Sequence, residues 1–387
     1  MRKDIVTLLR ELEQRDAAER AQGMPRAERA RNLRPEAGRF LNLLVKIARP
    51  KLIVEVGTSN GYSTLWLAEA AQQVGGGVVS LETREARHHE AQANLARAGL
   101  ADVADLRLAD AHEAIPGIKG PFDLAFLDAE KEDYVALAER LLPKLPWGGL
   151  LVADNITSHA ETKPYLDMLA ADASLLTTVV PVGHGLAVTM KLGKPFPEAF
   201  VTTLAAQEER ARTQKGLTQV PRDVGALLYM LTRLSGAKRI LELGMAGGYS
   251  TLWLAQAAQA TKGRVTTIER DAAKVNMARR NFSLVGVADK VTIEMGDAER
   301  ALDRVQGPFD LIFFDADSAD QIDYLDALLP AVTAGGLLVS NNHLTNPIDL
   351  ADYTAYVRSA PDLESLLLPL GAGIELTWKV RPRRAGL

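Results

Sequence analysis

The sequence contains one domain twice. The string GYSTLWLA occupies residues 61–68 and recurs, letter for letter, at residues 248–255. The same offset relates a set of acidic and glycine residues in the two halves: Glu55 and Glu242, Gly57 and Gly244, Glu82 and Glu269, Asp110 and Asp297, and Asp128 and Asp315. One long period predicts a tandem duplication and argues against a solenoid of short repeats. Half of 387 residues is enough for each copy to bury a core of its own.

The boundary between the copies is predicted in the segment GKPFP at residues 193–197, because two prolines within three residues disfavour both helix and sheet. We therefore assign residues 1–193 to the first domain and 194–387 to the second. In each copy, short apolar runs such as LIVEV and DLAFLD alternate with helical patterns. This alternation predicts two tandem Rossmann-like domains, each a doubly wound, mostly parallel sheet with helices on both faces. Ligands of such sheets bind at the carboxyl ends of the strands.

Composition excludes several other classes of protein. The chain has no cysteine, which rules out disulfides, thiolate metal sites and cysteine nucleophiles. A net charge of -4 gives no general attraction for phosphate backbones, and we expect no nucleic-acid partner. No run of about 20 apolar residues is present, and charges interrupt the apolar spacing near the N-terminus. We therefore expect a cytoplasmic protein with no membrane partner.

A glycine-containing turn follows the first apolar strand of each copy, and a helix begins directly after it. In the first copy this turn holds Gly57 and Gly61, and it lets a ligand approach the backbone and the helix N-terminus. Glu82 ends the second strand 25 residues after Gly57, and Glu269 repeats that spacing in the second copy. An acid at this place can accept both ribose hydroxyls of an adenosine ligand. For each acid taken alone, a helix cap or a solvated loop is the alternative.

The ordered set of motifs resembles a known family. It consists of E-x-G-x-x-x-G-Y-S, an acid ending the second strand, D-A after the third, D-A-x-K after the fourth and G-G-x-x-x-x-D-N ending the fifth. This set is similar to that of the S-adenosylmethionine-dependent O-methyltransferases of the catechol and caffeoyl-CoA type. The resemblance implies two methyltransferase domains, with S-adenosylmethionine as the cofactor. In the first copy it implies cofactor-binding roles for Glu55, Gly57, Gly61, Tyr62, Ser63, Glu82, Asp110, Ala111 and Asp128.

The second copy keeps the same cofactor set. Its members are Glu242, Gly244, Gly248, Tyr249, Ser250, Glu269, Asp297, Ala298 and Asp315. In both copies the resemblance implies that the acid of the second strand holds the ribose and that the D-A pair borders the adenine.

The resemblance also implies a divalent cation, usually Mg²⁺, held by Asp128, Asp154 and Asn155. Two carboxylates and an amide oxygen suit a hard cation and leave coordination sites for substrate oxygens. Lys131 occupies the position of the family's general base, since a nearby cation favours the neutral amine that can take a proton. The implied reaction is methyl transfer to a hydroxyl of a small catechol-like or phenolic acceptor.

The second copy differs from the family at the residues that the resemblance assigns to the base and to the cation. Ser318 stands at the position of Lys131, and Asn341 stands at the position of Asp154. One fixed negative charge where the first copy has two weakens a divalent site. We therefore predict that the second copy binds cofactor but is catalytically impaired, with a structural or regulatory role. Asp317, Asp320 and His343 are the residues that could compensate.

Family members commonly pair, so the resemblance implies an intramolecular pseudo-dimer of the two copies, with a further homodimer left open. His159 and four aromatic residues are candidates for the walls of the acceptor pocket: Tyr62, Trp66, Tyr134 and Tyr165. The segments 31–38 and 218–225 occupy the region of the family's lid. Two alternatives stay open: a metal-independent methyltransferase acting on another acceptor, and a non-catalytic S-adenosylmethionine sensor or scaffold. A dinucleotide dehydrogenase is disfavoured because no G-x-G-x-x-G follows the first strand.

Overall fold

The computed structural model describes residues 1–25, 28–213 and 219–381. The chain forms two compact units, Met1–Lys194 (unit 1) and Pro195–Leu387 (unit 2). Within the described ranges, none of the helices has the length and apolar character needed to cross a bilayer.

The described helices and strands of unit 1 follow the predicted alternation. They are α1 Lys3–Ala21, α2 Pro35–Ala48, β1 Leu52–Val56, α3 Tyr62–Val74, β2 Gly77–Glu82, α4 Glu85–Arg97, β3 Ala104–Leu108, α5 Ala111–Gly117, β4 Leu124–Leu127, α6 Tyr134–Leu141, β5 Leu150–Ala153, α7 Lys163–Ala171, β6 Leu175–Val180 and β7 Leu186–Lys191. Short 3-10 helices span Lys131–Asp133, Leu142–Lys144 and Ala160–Thr162.

The described part of unit 2 repeats this order. Its elements are α8 Glu198–Thr213, α9 Arg222–Ser235, β8 Arg239–Leu243, α10 Tyr249–Thr261, β9 Arg264–Glu269, α11 Ala272–Val285, β10 Val291–Met295, α12 Ala298–Leu302, β11 Phe309–Phe314, α13 Gln321–Leu328, β12 Val332–Ser340, α14 Ala351–Ser359, β13 Leu363–Leu368 and β14 Ile374–Lys379. Its 3-10 helices span Ala288–Lys290, Ser318–Asp320 and Leu329–Ala331.

Each unit contains one seven-stranded sheet of the same topology. The orders are β3-β2-β1-β4-β5-β7-β6 and β10-β9-β8-β11-β12-β14-β13. The first five strands of each unit pair in parallel, and the last two form an antiparallel hairpin at one edge. This arrangement confirms the predicted fold class. The strand order reverses between β1 and β4, and the carboxyl ends there flank the crevice in which such sheets bind ligands.

Helix packing explains two of the repeated residues. The predicted helical spacing of the N-terminus is confirmed, because α1 buries Ile5, Leu8, Leu9 and Leu12. In α2, a Cβ on Gly38 would lie 2.4 Å from Nε1 of Trp66, so only glycine lets the two helices approach this closely. Gly225 and Trp253 repeat that contact in unit 2 at 2.2 Å.

The segment 31–38, which was expected to form a lid, is partly helical and partly buried. Residues 35–38 belong to α2, and Gly38 packs beneath Trp66 in the core, so the covering segment of unit 1 ends before this helix. In the expected second lid, Gly225 lies inside α9, and Thr218 is outside the described residues.

Candidate active site

The carboxyl ends of β1 to β5 line a cavity of about 470 Å³ in unit 1. Most of the residues predicted from the sequence meet there: Gly57, Tyr62, Ser63, Glu82, Asp110, Ala111, Asp128, Lys131, Asp154 and Asn155. Glu55, in β1, and Gly61, in the turn that follows, are not among the residues that line the cavity.

The turn after β1 lies against the end of β4. Gly57 has a φ of +101°, and a Cβ there would lie 2.3 Å from the main-chain oxygen of Asp128. Glycine therefore permits both the backbone conformation and the close approach. This contact brings the glycine motif after β1 next to the D-A-x-K motif after β4.

Glu82 is fixed in the cavity by backbone amides. Its Oε2 accepts a hydrogen bond from the amide of Ser59 at 2.7 Å, and its Oε1 accepts from Thr83 at 3.0 Å and Arg84 at 2.9 Å. A carboxylate has about four acceptor positions and three are used by these amides, so about one remains for a hydroxyl of a ligand. The arrangement recurs at Glu269, which accepts from the amides of Ala246 and Asp271 at 2.8 Å each.

Glu55 lies beneath the turn and is fully buried. Its Oε2 accepts from the hydroxyls of Thr64 at 2.5 Å and Ser80 at 2.6 Å, which joins α3 to β2. Burial raises the pKa of Glu55 to about 7. Glu242 accepts equivalent hydrogen bonds in unit 2, so this acid supports the turn from below in both copies.

Lys131 is held over the end of β4 by three acceptors. Its Nζ donates to Oδ1 of Asp128 at 2.9 Å, to the main-chain oxygen of Ala129 at 2.9 Å and to the hydroxyl of Tyr134 at 2.7 Å. The Tyr134 hydroxyl lies 3.1 Å from the main-chain oxygen of Asp154 and donates to it. Tyr134 therefore orients Lys131 from within the core, although the sequence had suggested it as a pocket wall.

Two carboxylates and an amide converge beside Lys131. Nδ2 of Asn155 donates to Oδ1 of Asp128 at 3.1 Å and to Oδ2 of Asp154 at 2.6 Å. Asp154 is 3% exposed, and its Oδ1 is buried without a hydrogen-bond partner. Burial and the neighbouring Asp128 raise the pKa of Asp154 to about 8.

These observations fit a cation site. A buried carboxylate oxygen without a partner and a second carboxylate beside it are a donor set that a hard divalent ion satisfies. Rotating the Asn155 amide by 180° would present a third oxygen. In the described ranges, no group of three His, Asp or Glu side chains converges in a metal-binding arrangement.

A connection between α1 and α2 covers one side of the cavity. Ala30 donates its amide to Oε2 of Glu19 at 2.9 Å and accepts from the Ser59 hydroxyl at 2.8 Å. Arg31 forms a 3.0 Å ion pair with Glu130, next to Lys131. In unit 2, most of the corresponding segment lies outside the described residues.

Other predicted residues take different places. Asp110 lines the cavity and also caps α5, because its Oδ1 accepts from the amide of His112 at 2.7 Å. His159 lines the cavity, whereas Trp66 and Tyr165 are buried in the core and do not. Tyr62 lines the cavity and donates its hydroxyl to Glu13 of α1 at 2.7 Å.

Unit 2 has a cavity of about 500 Å³ at the equivalent strand ends. Seven residues of the predicted sets line it: Gly244, Glu269, Asp297, Ala298, Asp315, Asn341 and Asn342. Four of the predicted cofactor residues do not: Glu242, Gly248, Tyr249 and Ser250. The two cavities therefore share the first glycine of the turn, the second-strand acid, the D-A pair and the acid after the fourth strand, and they differ at the start of the helix that follows the turn.

The two cavities differ at the position of Lys131. Ser318 and Gln321 replace Lys131 and Tyr134, and Nδ2 of Asn341 donates to Oδ1 of Asp315 at 2.8 Å. Burial raises the pKa of Asp315 to about 7. Nothing in the described part of the cavity replaces the second carboxylate or the lysine.

The three residues suggested as substitutes for the missing carboxylate and lysine of unit 2 are engaged in other contacts or do not line the cavity. His343 is buried and hydrogen-bonded to the hydroxyls of Ser340 at 2.6 Å and Thr354 at 3.0 Å. Asp317 lines the cavity but is ion-paired with Arg270 at 3.3 Å, and Asp320 does not line it.

Comparison with known proteins agrees with this architecture. A family model described as O-methyltransferase matches residues 7–192 and again 202–380. The chain is 37% identical over 138 residues to a catechol O-methyltransferase of Niastella koreensis, and 38% identical over 122 residues to one of Mycobacterium tuberculosis. These matches cover 35% and 31% of this chain, and 60% and 55% of the respective relatives.

A solved structure of the O-methyltransferase TomG from Streptomyces achromogenes, in complex with SAM, is also similar. It is 28% identical with a TM-score of 0.42, and the match covers 48% of this chain and 90% of that one. The family match spans most of the sequence, so the chain belongs to the O-methyltransferase family and carries the family's domain twice. The resemblance to this family that was inferred from the sequence is confirmed.

Proposed function

We propose that unit 1 transfers a methyl group from S-adenosylmethionine to a hydroxyl of a small catechol-like or phenolic acceptor, with the assistance of a divalent cation. The observation that carries this proposal is the meeting of Lys131 with Asp128, Asp154 and Asn155 in the cavity that also holds Glu82. Membership of the O-methyltransferase family supports the reaction class.

The cofactor would lie along the glycine turn. Gly57 lines the cavity together with Thr58 and Ser59 of the same turn, and Glu82 keeps acceptor capacity for a ribose hydroxyl. Asp110 and Ala111 line the region where the adenine would sit. Glu55 would act indirectly in this scheme, by supporting α3 and β2 from below.

In the proposed mechanism, Asp128, Asp154 and Asn155 would hold Mg²⁺ or another divalent cation, whose charge acidifies an acceptor hydroxyl. The base form of Lys131 would be the neutral amine, which has released one of the three protons that Nζ donates in the structure. This amine takes the hydroxyl proton, the oxygen uses its electron pair to form a bond to the methyl carbon, and the sulfur–carbon bond breaks with its pair remaining on sulfur. Asp128, Ala129 and Tyr134 stabilise the ammonium that forms again, because all three accept from Nζ in that form.

Unit 2 would have a structural or regulatory role. Its cavity keeps the turn at Gly244 and the acid Glu269, which supports binding of an adenosine ligand. Ser318 and Asn341 remove the base and one carboxylate, so we propose that no methyl transfer occurs there. The assignment of residues 1–193 and 194–387 to a catalytic and an impaired domain belongs to this proposal, and the pseudo-dimer stays a prediction from the sequence.

Methyl transfer to a panel of catechols, measured with and without Mg²⁺ and with a chelator, tests the proposal. The informative variant is Asp154→Asn, which installs the amide that unit 2 carries at this position. Loss of one of two carboxylates should lower the rate by about 100-fold or more at limiting metal. Asp167→Asn is the matched control, because Asp167 is an exposed residue of α7. Metal-independent transfer, or full activity of Asp154→Asn, would refute the cation-assisted mechanism.

A further inference from the structure

Basic side chains gather at the end of the unit 1 cavity that adjoins Asn155. Nε of Arg34 donates to Nε2 of His184 at 3.2 Å. The main-chain oxygen of His184 accepts from the amide of Thr157 at 3.0 Å and from its hydroxyl at 2.8 Å, which ties His184 to the chain just after Asn155. His184 therefore belongs to the wall next to the proposed cation site.

Most of the charged groups near His184 are basic. Burial, followed by the nearby Arg34, Arg20 and His159, lowers the pKa of His184, and Asp128 opposes this shift. Arg20 is ion-paired with Asp16 at 2.9 Å, so one of these charges is balanced. Arg34 makes its described side-chain hydrogen bond to the imidazole of His184, which carries no negative charge.

Unit 2 provides an internal comparison. Pro221 replaces Arg34 as the residue before the helix, and Ala372 replaces His184. The second equivalence rests on the backbone, because the amide of Leu344 donates to the oxygen of Ala372 as Thr157 does to His184. Among the described lining residues of unit 2, the basic ones are Arg270 and Lys274, which follow β9 near Glu269.

The basic cluster is therefore not required by the fold or by the cofactor end of the cavity, since unit 2 keeps both without it. The cluster accompanies Lys131 and Asp154, the residues of the proposed chemistry. This association points to the acceptor as the ligand that the cluster serves.

We infer that the acceptor of unit 1 carries a carboxylate in addition to its reacting hydroxyl, and that His184, which lines the cavity, and Arg34, which is hydrogen-bonded to it, form the subsite for this carboxylate. The inference rests on the proposed function, because it names the substrate class of the same site. A phenolic acid is the simplest compound of this class. Arg34 contributes by its charge and by orienting His184.

The test compares two compounds that differ only in this charge, 3,4-dihydroxybenzoate and its methyl ester. Calorimetry measures their binding to the full chain, with S-adenosylhomocysteine and Mg²⁺ present in every titration. We expect the acid to bind about 10-fold more tightly than the ester, as a charge-assisted hydrogen bond predicts. In His184→Ala, which introduces the residue of unit 2, and in the exposed-site variant Arg34→Gln, this ratio should fall to about 3 or less.

Lys163→Gln is the control, because it removes a positive charge from an exposed ion pair on α7. It should leave the ratio of affinities unchanged. Equal binding of acid and ester, binding of neither, or a ratio that survives both variants would overturn the inference. Methyl transfer to both compounds is measured in parallel and separates the two proposals. A carboxylate-dependent affinity without transfer refutes the proposed function alone, whereas transfer without the affinity difference refutes the inference alone.

Discussion

Replacing Lys131 by methionine removes the proposed base and keeps a side chain of similar length. The ammonium of Lys131 donates to Asp128, Ala129 and Tyr134, and its side chain is 10% exposed. A positioned general base contributes about 10² to 10⁴ in rate, which corresponds to about 3–5 kcal/mol of transition-state stabilisation. We therefore expect kcat of Lys131→Met to fall by a factor in this range.

The same change has a structural cost that must be separated from the catalytic one. Two neutral acceptors lose a buried donor, which costs about 1–3 kcal/mol of stability. Affinity for S-adenosylmethionine should remain within about 2-fold of the wild type, because Glu82 and the glycine turn are untouched. Circular dichroism and calorimetric titration establish both points before rates are compared.

Lys131→Arg distinguishes a base from a fixed charge. Arginine keeps the positive charge near Asp128 but is not deprotonated in proteins. If Lys131 takes the proton, Lys131→Arg stays as inactive as Lys131→Met in a stopped methyl-transfer assay across pH 6–9. Restoration of more than about a third of the wild-type kcat by arginine would refute the role as base.

Two further predictions concern stability. Gly38→Ala places a Cβ 2.4 Å from Nε1 of Trp66 and should lower the free energy of unfolding by about 1–3 kcal/mol, measured by heat or denaturant. Gly117→Ala is the control, because its Cβ meets no atom within 4 Å and should change the stability little. Equal losses of stability in the two variants would contradict the packing argument. Burial lowers the pKa of His343 to about 4, below its ordinary 6.5. Below pH 6.5 the unfolded chain therefore takes up a proton at this histidine that the folded chain does not. The stability of unit 2 should fall by about 2–3 kcal/mol as the pH is lowered from 6.5 toward 4. His343→Gln should flatten the stability of unit 2 over that interval in unfolding curves recorded at several pH values, and an unchanged slope would show that His343 does not titrate there.

Most of the fold could be predicted from the sequence because the duplication and the strand ends are local signals. A buried strand followed by Gly57, or one ending in Glu82, is visible in a few consecutive letters. The parallel sheet then requires these ends to meet at one edge. The set Asp128, Asp154 and Asn155 was implied by the resemblance to the family, and Asn155 lies within hydrogen-bonding distance of both aspartates.

Other features of the site depend on how deeply a side chain is buried and on contacts between segments that are distant in the sequence. Glu55 resembles a ligand-binding acid in the sequence, but it lies beneath the turn and bonds to Thr64 and Ser80. Tyr134 was suggested as a wall, whereas it holds Lys131 from the core. One signal in the sequence could have shown that Tyr134 and Lys131 act as a pair. Both are replaced together in the second copy, by Gln321 and Ser318.

The cluster around His184 had no signal in the sequence. Arg34 and His184 are 150 residues apart, and their contact forms only when the hairpin of β6 and β7 reaches the start of α2. Side chains that meet across such a distance share no period or motif from which their proximity could be inferred.

The central claim is that methyl transfer occurs in unit 1 and not in unit 2. The most direct test is the initial rate of methyl transfer by two matched variants of the full chain, Glu82→Gln and Glu269→Gln, which alter the equivalent acid in each cavity. We expect Glu82→Gln to lose activity by about 100-fold at limiting S-adenosylmethionine and Glu269→Gln to stay within about 3-fold of the wild type. Equal losses in the two variants, or the larger loss in Glu269→Gln, would contradict the account.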